Sequence, residues 1–265
     1  MLDNTNPEEE VKIELGPYNP AEDGFPPIGF YDDKHDTITA ANQNLKDTMI
    51  RVLPNMKKSS KILMIGSACL QAAVWIVDEY GCKIDLLSPD EARNKVDRKF
   101  LETIELHEKI TITTGGPVQL PYDREYYELV WSQDILLYSE DRLKTFREVA
   151  RVLQSGGRFI FTDIMEAEQC EDRSSIEKLV AAMPVEELPT IIGYKNLARR
   201  SDLERVIFKR RPAMLETHYE KVIAALEKEK NAKTKRLRSA LEPWLAAAKG
   251  GCLTWGVLCF QKRNV

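Results

Sequence analysis

The sequence predicts an α/β fold built on a parallel sheet, and three observations support this prediction. Short apolar runs alternate with amphipathic, helix-favouring stretches, which is the pattern of successive βαβ units. Of the 265 residues, 43% are hydrophobic and 30% are charged, as in a globular chain with a sizeable core. From Lys61 to Arg98, an apolar run ends in Gly66 and is followed by a helical stretch and a second apolar run, as in nucleotide-binding units.

The predicted strands are short, apolar and bounded by turn-forming residues. In chain order they are 61–65, 84–87, 110–113, 129–132, 158–163, 206–208 and 253–260. The predicted helices carry one apolar face and lie mostly between these strands. In chain order they are 39–53, 72–80, 89–106, 141–153, 174–183, 196–202 and 214–249.

Three local signals refine these helices. The run Ser155-Gly156-Gly157 is expected to cap the carboxyl end of the helix over 141–153. Pro243 is expected to break the long helix over 214–249, because proline lacks the amide donor that a helix interior needs. Asp90 is expected either to cap the helix that follows it or to reach a ligand at the end of the second strand.

The chain is predicted to have three parts. Residues 1–37 are rich in Pro, Asp, Glu and Gly and are expected to form an irregular N-terminal arm. Residues 38–170 form the α/β core, and residues 171–265 supply cap helices together with the last two strands. The helical stretch before the last strand is expected to act as a cap near the edge of the sheet.

Charge and cysteine content exclude several classes of protein. The net charge of −4 argues against nucleic-acid binding, and no apolar run approaches the roughly 20 residues that span a bilayer. The acidic, polar N-terminus is unlike a secretory signal. Five scattered cysteines without a CxxC pair predict unpaired thiols in a reducing compartment, hence the cytoplasm. The three histidines lack metal-ligand spacing, so no metal is expected.

Three motifs carry a resemblance to a known family. The segment Trp131-Ser132-Gln133-Asp134, the run from Ala150 to Phe159 and the ending Leu253-Thr254-Trp255-Gly256 are its main residues. The chain resembles the class I S-adenosylmethionine-dependent methyltransferases, and within them the sarcosine/dimethylglycine N-methyltransferase group, from about residue 28 to the end. The resemblance implies a Rossmann-like α/β fold, with a seven-stranded mostly parallel sheet, an antiparallel last strand, helices on both faces and a helical cap.

The resemblance also implies a cofactor site for S-adenosylmethionine at the ends of the first four strands. The residues that match the family's cofactor contacts are Gly66, Ser67, Ala68, Ser88, Gly115, Gly116, Trp131, Ser132 and Gln133. Three positions depart from the family pattern: Met64 replaces an acid, Leu70 replaces a glycine, and Pro117 removes an amide donor. Two interpretations therefore stay open, a remodelled cofactor turn and a fold that no longer binds the cofactor.

The same resemblance predicts the residues of the reaction centre. Asp134 and Tyr138 are expected to act at the methyl-accepting amine, although Asp134 also suits a helix N-cap. Aromatic side chains stabilise cations, which favours tyrosines around a sulfonium or an ammonium. The predicted substrate-binding residues are Tyr31, Tyr194, His218 and Tyr219. A structural role for His218 is left equally open, as is the choice among Arg173, Lys195 and Arg199 for an anionic end of the substrate.

The sequence as a whole predicts a small-molecule methyltransferase that acts on an amine and uses S-adenosylmethionine. The alternative is a descendant of that fold without methyl transfer, either a non-catalytic partner subunit or an enzyme of cofactor-independent chemistry such as a cyclase. Fold alone does not separate these two functions. Neither a nucleic acid nor a membrane is expected as a partner, and self-association or pairing with a paralogous methyltransferase stays open.

Overall fold

The computed structural model describes residues 26–53, 55–181, 183, 185–228 and 231–264, so most of the predicted N-terminal arm lies outside the described residues. Eight helices are described. They are α1 (Ile38–Ile50), α2 (Leu70–Tyr80), α3 (Glu91–Thr103), α4 (Arg142–Val152), α5 (Ser174–Ala181), α6 (Ile191–Arg199), α7 (Ala213–Lys228) and α8 (Ala232–Lys249). The strands are β1 (Lys61–Ile65), β2 (Lys83–Ser88), β3 (Ile110–Thr114), β4 (Tyr127–Gln133), β5 (Leu153–Glu166), β6 (Leu203–Arg210) and β7 (Leu253–Lys262).

The seven strands form one sheet in the order β3-β2-β1-β4-β5-β7-β6. The pairs β1–β2, β1–β4, β2–β3 and β4–β5 are parallel, and β6 is antiparallel to β7. Near the start of β5, the Lys262 Nζ donates to the Leu153 carbonyl at 2.7 Å; just after β5 ends, the Ala167 amide donates to the Cys252 carbonyl at 2.9 Å. Strand β7 therefore runs antiparallel to β5. The predicted seven-stranded, mostly parallel sheet is confirmed.

The described chain divides into two compact units. The first, unit 1, contains the residues up to Thr48, Glu166–Glu187 and Arg211–Trp255, and the second, unit 2, contains Met49–Met165, Leu188–Arg210 and the residues from Gly256 onward. This division rests on spatial contacts, whereas the predicted boundaries at residues 37 and 170 followed sequence order and stay a prediction.

Unit 2 is held together by an aromatic core. Phe146 of α4 lies with its ring centroid 5.4 Å from Phe159 and 6.0 Å from Phe161 of β5, and it stacks on Tyr194 of α6 at 5.7 Å. All four rings are fully buried, and Phe260 of β7 joins them. Burial of side chains this large stabilises a fold by about 2–3 kcal/mol each. This cluster fixes α4 and α6 against the sheet.

Unit 1 is largely helical. Helices α7 and α8 pack against each other, and α8 also packs on α5. Gly29 lies so close to α1 that a Cβ there would come within 2.6 Å of the Ala41 backbone, so only glycine fits. The Phe30 ring lies 5.4 Å from the ring of Trp255. Unit 1 is therefore built from α1, α5, α7 and α8, whereas α6, which also belongs to the segment predicted to supply cap helices, lies in unit 2.

Three predicted helix boundaries are wrong. The run Ser155-Gly156-Gly157 lies inside β5, because Leu153 already has an extended backbone and Gly156 takes a φ of +74° within the strand. Pro243 lies inside α8, which continues to Lys249, so the loss of one amide donor does not end this helix. The helix predicted over 196–202 begins earlier, at Ile191, where the Thr190 hydroxyl caps it by accepting from the Gly193 amide at 2.9 Å.

The expectation of unpaired thiols is wrong for two of the five cysteines. Cys170 and Cys252 form a disulfide across 82 residues of sequence, with their Cα atoms 4.5 Å apart. Cys69, Cys82 and Cys259 are free and buried. The pair meets because the chain just after β5 lies beside the chain just before β7, a contact that cysteine spacing does not reveal.

Candidate functional site

The turn after β1 contains Gly66, Ser67 and Ala68, the first three residues of the predicted cofactor site. Gly66 has a φ of +104°, a conformation that strongly favours glycine, and a Cβ there would make a tight contact of 3.3 Å with the Ile135 side chain. Its amide donates to the Leu87 carbonyl at the end of β2, at 2.8 Å. Ser67 and Ala68 follow in a short 3₁₀ helix and are half-buried, which leaves part of this turn accessible.

The turn after β4 is tied to its neighbours on both sides. The Ser132 hydroxyl donates to the Ile65 carbonyl of β1 at 3.0 Å, and the Asp134 amide donates to the Thr162 carbonyl of β5 at 2.9 Å. Trp131 is fully buried, and its indole nitrogen lies 3.3 Å from the side-chain oxygen of Gln133. The carboxyl ends of β1, β4 and β5 are thus joined around one point.

Asp134 occupies this point in an unusual backbone conformation. Its φ of +52° lies in the left-handed region, which side chains other than Asn, Asp and Gly rarely adopt. No side-chain capping bond begins the 3₁₀ helix that follows, so the alternative N-cap role of Asp134 is not what this turn shows. The strained turn is compatible with a constraint on where the Asp134 carboxylate points.

A second acid, Asp163 of β5, lies beside Asp134 and escaped the sequence analysis. Asp163 is fully buried and accepts hydrogen bonds from the Ile164 amide at 3.0 Å and from the Tyr194 hydroxyl. Burial raises the pKa of its carboxyl well above the usual range, and the negative charge of Asp134 raises it further. Burial therefore disfavours a negative charge on this carboxyl. Its signal in the sequence was an acid within an otherwise apolar strand.

Tyr194 and Tyr138 complete this cluster in different ways. Tyr194 is fully buried, and burial together with the Asp163 charge raises the pKa of its hydroxyl. Tyr138 is 45% exposed at the end of the short helix Leu136–Tyr138, and desolvation, Asp163 and Asp134 raise the pKa of its phenol. Arg142 offsets part of the negative charge on Asp163. The structure thus places two predicted site residues, Asp134 and Tyr138, near the buried Asp163–Tyr194 pair.

The carboxyl ends of β2 and β3 lie next to the end of β1 and form the second part of the candidate site. Ser88 is buried at the end of β2, and its hydroxyl oxygen has no hydrogen-bond partner among the described residues. The Gly115 amide donates to the Ser88 carbonyl at 3.1 Å, and the space beside Gly116 is open. Asp90 caps α3 by accepting from the Arg93 amide at 3.0 Å, which supports the capping alternative for Asp90.

The fit of these residues to a nucleoside cofactor depends on the Ser88 hydroxyl and on the positions that depart from the family pattern. A ribose offers hydroxyl groups, and the buried, unpartnered Ser88 hydroxyl at the end of β2 suits such a group. Among the departures from the family pattern, Met64 is fully buried within β1 and Leu70 is 3% exposed at the start of α2. Both side chains belong to the buried core, and the Gly66 turn keeps its glycine-only conformation. The residues present fit the cofactor.

The remaining predicted substrate residues lie in unit 1. The Tyr31 hydroxyl lies 2.8 Å from His218 Nδ1, and His218 Nε2 lies 3.1 Å from the Pro26 carbonyl oxygen. A carbonyl only accepts, so Nε2 carries the proton and Nδ1 accepts from Tyr31. Burial lowers the pKa of His218 to about 4 and raises that of Tyr31. Tyr219 is buried, with its ring 5.9 Å from His218.

Two negative findings apply to the described ranges alone. No cluster of three or more His, Cys, Asp or Glu side chains there is arranged to hold a metal ion. None of the helices described is long and apolar enough to cross a membrane.

Comparison with known proteins identifies the family. A profile of a methyltransferase domain matches residues 64–161. The sarcosine/dimethylglycine N-methyltransferase of Halorhodospira halochloris is 30% identical over 243 residues, which cover 89% of this chain and 87% of that protein. A crystal structure from Galdieria sulphuraria, described as a sarcosine dimethylglycine methyltransferase, has a TM-score of 0.84 and 27% identity, and the match covers 97% of this chain and 99% of that one.

A more distant relative shows the same fold. Geranyl diphosphate C-methyltransferase from Streptomyces coelicolor A3(2), in complex with S-adenosyl-L-homocysteine, has a TM-score of 0.76 and 11% identity, with 97% of this chain and 98% of that chain covered. The predicted family, enzyme class and cofactor are confirmed by these matches. The chain belongs to the sarcosine/dimethylglycine N-methyltransferase family of S-adenosylmethionine-dependent methyltransferases.

Proposed function

We propose that this protein methylates the nitrogen of a small amine that also carries a carboxylate, the substrate chemistry of sarcosine and dimethylglycine. The relatives named for these substrates match most of the chain. The observation that supports an amine most directly is the position of Asp134, a carboxylate residue with a φ of +52° in the turn at the carboxyl end of β4. The alternative function without methyl transfer has less support. The chain belongs to a methyltransferase family, and the buried Ser88 hydroxyl has no hydrogen-bond partner among the described residues, which suits a bound cofactor.

The cofactor supplies a methyl group on a positively charged sulfur, and the remaining tasks fall to the protein. Gly66, Ser67 and Ala68 would hold it at the end of β1, with Ser88 and Gly115 at the ends of β2 and β3. Methyl transfer by in-line displacement depends mainly on holding the amine in the attacking position in a water-poor site. The chain's own residues therefore bind and orient the amine.

Asp134 is assigned the principal contact with the amine. A free amine lone pair is required for attack, and a carboxylate both attracts the protonated amine and accepts its proton or a hydrogen bond. Burial disfavours a charge on Asp163, so Asp134 is the acid of this pair that we assign to the amine. The exposed phenol of Tyr138 is assigned to the same amine, since its oxygen can accept a hydrogen bond and its ring can face a cation.

Tyr194 is assigned a role that differs from the predicted one. With its ring fully buried and its hydroxyl on Asp163, it acts through that acid rather than by touching the substrate. Asp163 adjoins Thr162, the residue that anchors the Asp134 amide, so the Asp163–Tyr194 pair fixes the support of the Asp134 turn. Trp131 is fully buried and its indole nitrogen donates to Gln133, so it is assigned to support the turn after β4.

The unit 1 residues Tyr31, His218 and Tyr219 are proposed as the substrate-facing group of that unit. Both ring nitrogens of His218 are engaged, so His218 orients Tyr31 instead of binding the substrate itself. The Tyr31 hydroxyl donates a hydrogen bond to His218. The lone pairs of the Tyr31 oxygen are therefore available to accept a hydrogen bond from an ammonium group. Tyr219 lies beside this pair and packs 6.3 Å from Trp244.

The proposal also covers the binding partners of the protein and its cellular compartment. The substrate is a small molecule, and self-association or pairing with a paralogous methyltransferase stays open. A cytoplasmic location is kept as a prediction, although the Cys170–Cys252 bond removes part of its support because cytosolic thiols are usually reduced.

Replacing Asp134 by Asn tests the proposed function. Asparagine keeps the size and tolerates the positive φ of this turn but removes the charge, so turnover of sarcosine and dimethylglycine should fall about 100-fold or more. Affinity for S-adenosylmethionine, measured by calorimetry, should change less than about threefold. Substitution of Asp141, which caps α4, by Asn is the matched control and should leave turnover within about twofold. Unchanged turnover of both amines by D134N would remove Asp134 from the reaction.

A further inference from the structure

A pocket lies at the end of the sheet opposite to the methyltransferase site. It has a volume of about 360 Å³ and is lined by residues of α6, the start of β6 and the end of β7, all in unit 2. Since β7 runs antiparallel to β5, its end lies beside the start of β5, where the parallel strands begin. The Asp134 turn lies at the opposite ends of those strands. The pocket is therefore separate from the site already described.

Positive charge dominates this pocket, which we call the basic pocket. Its charged lining residues are Lys195, Arg199, Arg205, Arg263 and a single acid, Glu204. Within the described part of the chain, none of the four cations takes part in a salt bridge or donates a side-chain hydrogen bond; Lys195 lies 5.9 Å from the Phe208 ring centroid. Three of the four are exposed and Lys195 is half-buried. Four cations thus share one pocket on a chain whose net charge is −4.

Such a cluster is electrostatically unfavourable without an anion. Like charges that share a concave surface repel, and a bound anion relieves that repulsion while the concave walls concentrate the field. The helix dipole explains the position of only one of these cations. Arg199 lies in the last turn of α6, where a positive charge complements the dipole. The other three cations come from three different segments and converge on the same pocket.

The side chains indicate the chemistry of the ligand. Guanidinium groups form paired hydrogen bonds with the oxygens of phosphate or carboxylate, and a phosphate monoester carries about −1.5 to −2 charges at neutral pH. Ala198, Leu203 and Phe260 also line the pocket, but each is at most 2% exposed and offers little surface to a ligand. A volume of 360 Å³ lies within the range of small-molecule sites, about 300–1,000 Å³. We propose that the basic pocket binds a small phosphate-bearing anion.

Calorimetric titration of the full chain with inorganic pyrophosphate tests this proposal, at about 150 mM salt to screen long-range attraction. The wild-type protein should bind one equivalent with submillimolar affinity. The double variant Arg199→Glu, Arg205→Glu should lose about tenfold or more of that affinity. The matched control is Lys99→Glu, Arg147→Glu, which makes the same charge change at exposed positions outside the pocket, and it should bind within about twofold of wild type.

Two further arms separate specific binding from general charge attraction. Phenyl phosphate should bind within about threefold of inorganic phosphate, because the cations recognise the phosphate group and the buried apolar side chains add little. Thermal unfolding of each variant, together with its affinity for S-adenosylmethionine, verifies that fold and cofactor site are intact. The proposal is overturned if no heat appears at about 10 mM pyrophosphate, or if both double variants lose affinity equally. It is also overturned if neither phosphate binds.

Discussion

At the scale of single residues, the buried Asp163–Tyr194 pair is the feature that most changes the view of the reaction centre. Tyr194 was predicted to touch the substrate, yet its ring is fully buried and its hydroxyl bonds to Asp163. A substrate contact and a positioning role predict different kinetics. Loss of a contact raises KM, whereas loss of a support lowers kcat and stability together.

Replacement of Tyr194 by Phe separates these two roles. The variant leaves a buried carboxyl oxygen without its partner, so the free energy of unfolding should fall by about 1–3 kcal/mol. The kcat for the amine should fall about tenfold or more while KM stays within about twofold. Tyr126→Phe is the control, a tyrosine whose exposed ring lies in another part of unit 2. A rise in KM alone, with full stability, would restore Tyr194 as a substrate contact.

His218 gives a pH dependence to the stability of unit 1. Burial lowers its pKa from 6.5 to about 4 in the folded protein, so the unfolded chain takes up a proton that the folded chain excludes. Stability is therefore complete above pH 6.5 and falls as pH drops from 6.5 to 4, by about 3 kcal/mol at most. Denaturant unfolding at several pH values should show this loss, and His218→Gln should flatten it. An unchanged slope in the variant would mean that other groups carry the effect.

At the scale of elements, the disulfide joins the chain just after β5 to the chain just before β7. Its two cysteines are 82 positions apart, and the loop between them includes α5, α6, α7 and α8. A cross-link over a loop of this length restricts the unfolded chain and stabilises the fold by up to about 4 kcal/mol. This restraint bears on the helices that the sequence predicted as a cap.

Thiol counting measures this bond directly. The denatured, unreduced protein should show three reactive thiols of the five cysteines, and reduction should raise the count to five. Reduction should also lower the Tm of the wild type, because the loop restraint is lost. The variant Cys170→Ser, Cys252→Ser should start from the lower Tm and ignore the reductant, while Cys82→Ser should still respond. Five reactive thiols without reductant would contradict the bond.

The strands were predictable where a local signal was sufficient. Short apolar runs such as Ile110–Thr114 and Leu253–Lys262 fix strand position through β-propensity and burial, and the structure has them within two residues of the predicted ends. Helix ends were less predictable: Gly156 resembles a cap in sequence but has its positive φ inside a strand. Gly156 lies in a strand because β5 pairs with neighbouring strands in the sheet. Local propensity does not reveal such tertiary pairing.

The site was predictable where family motifs named a residue and unpredictable where it depends on distant contacts. Gly66 and Asp134 follow strand ends that the sequence marks, and the structure gives both a positive φ. Asp163 was hidden as one polar residue in an apolar strand, and its role depends on Tyr194, 31 residues away. The Cys170–Cys252 pair was hidden for the same reason.

At the scale of the whole molecule, the chain combines a sheet that matches its family with a cofactor turn that departs from the family's residues. Met64 and Leu70 are buried in the core, while the glycine conformation at Gly66 and the tie from Ser132 to Ile65 are kept. The central claim is therefore that this turn still holds S-adenosylmethionine. If it does, the reaction centre around Asp134 has its methyl donor.

Calorimetric titration of the intact protein with S-adenosylmethionine tests this claim most directly. Gly66→Val is the paired variant, since a β-branched side chain is strained at a φ of +104° and meets Ile135. The wild type should bind one equivalent with a Kd in the micromolar range, and the variant should bind about tenfold or more weakly. Absence of any heat from the folded wild-type protein at millimolar S-adenosylmethionine would contradict the account.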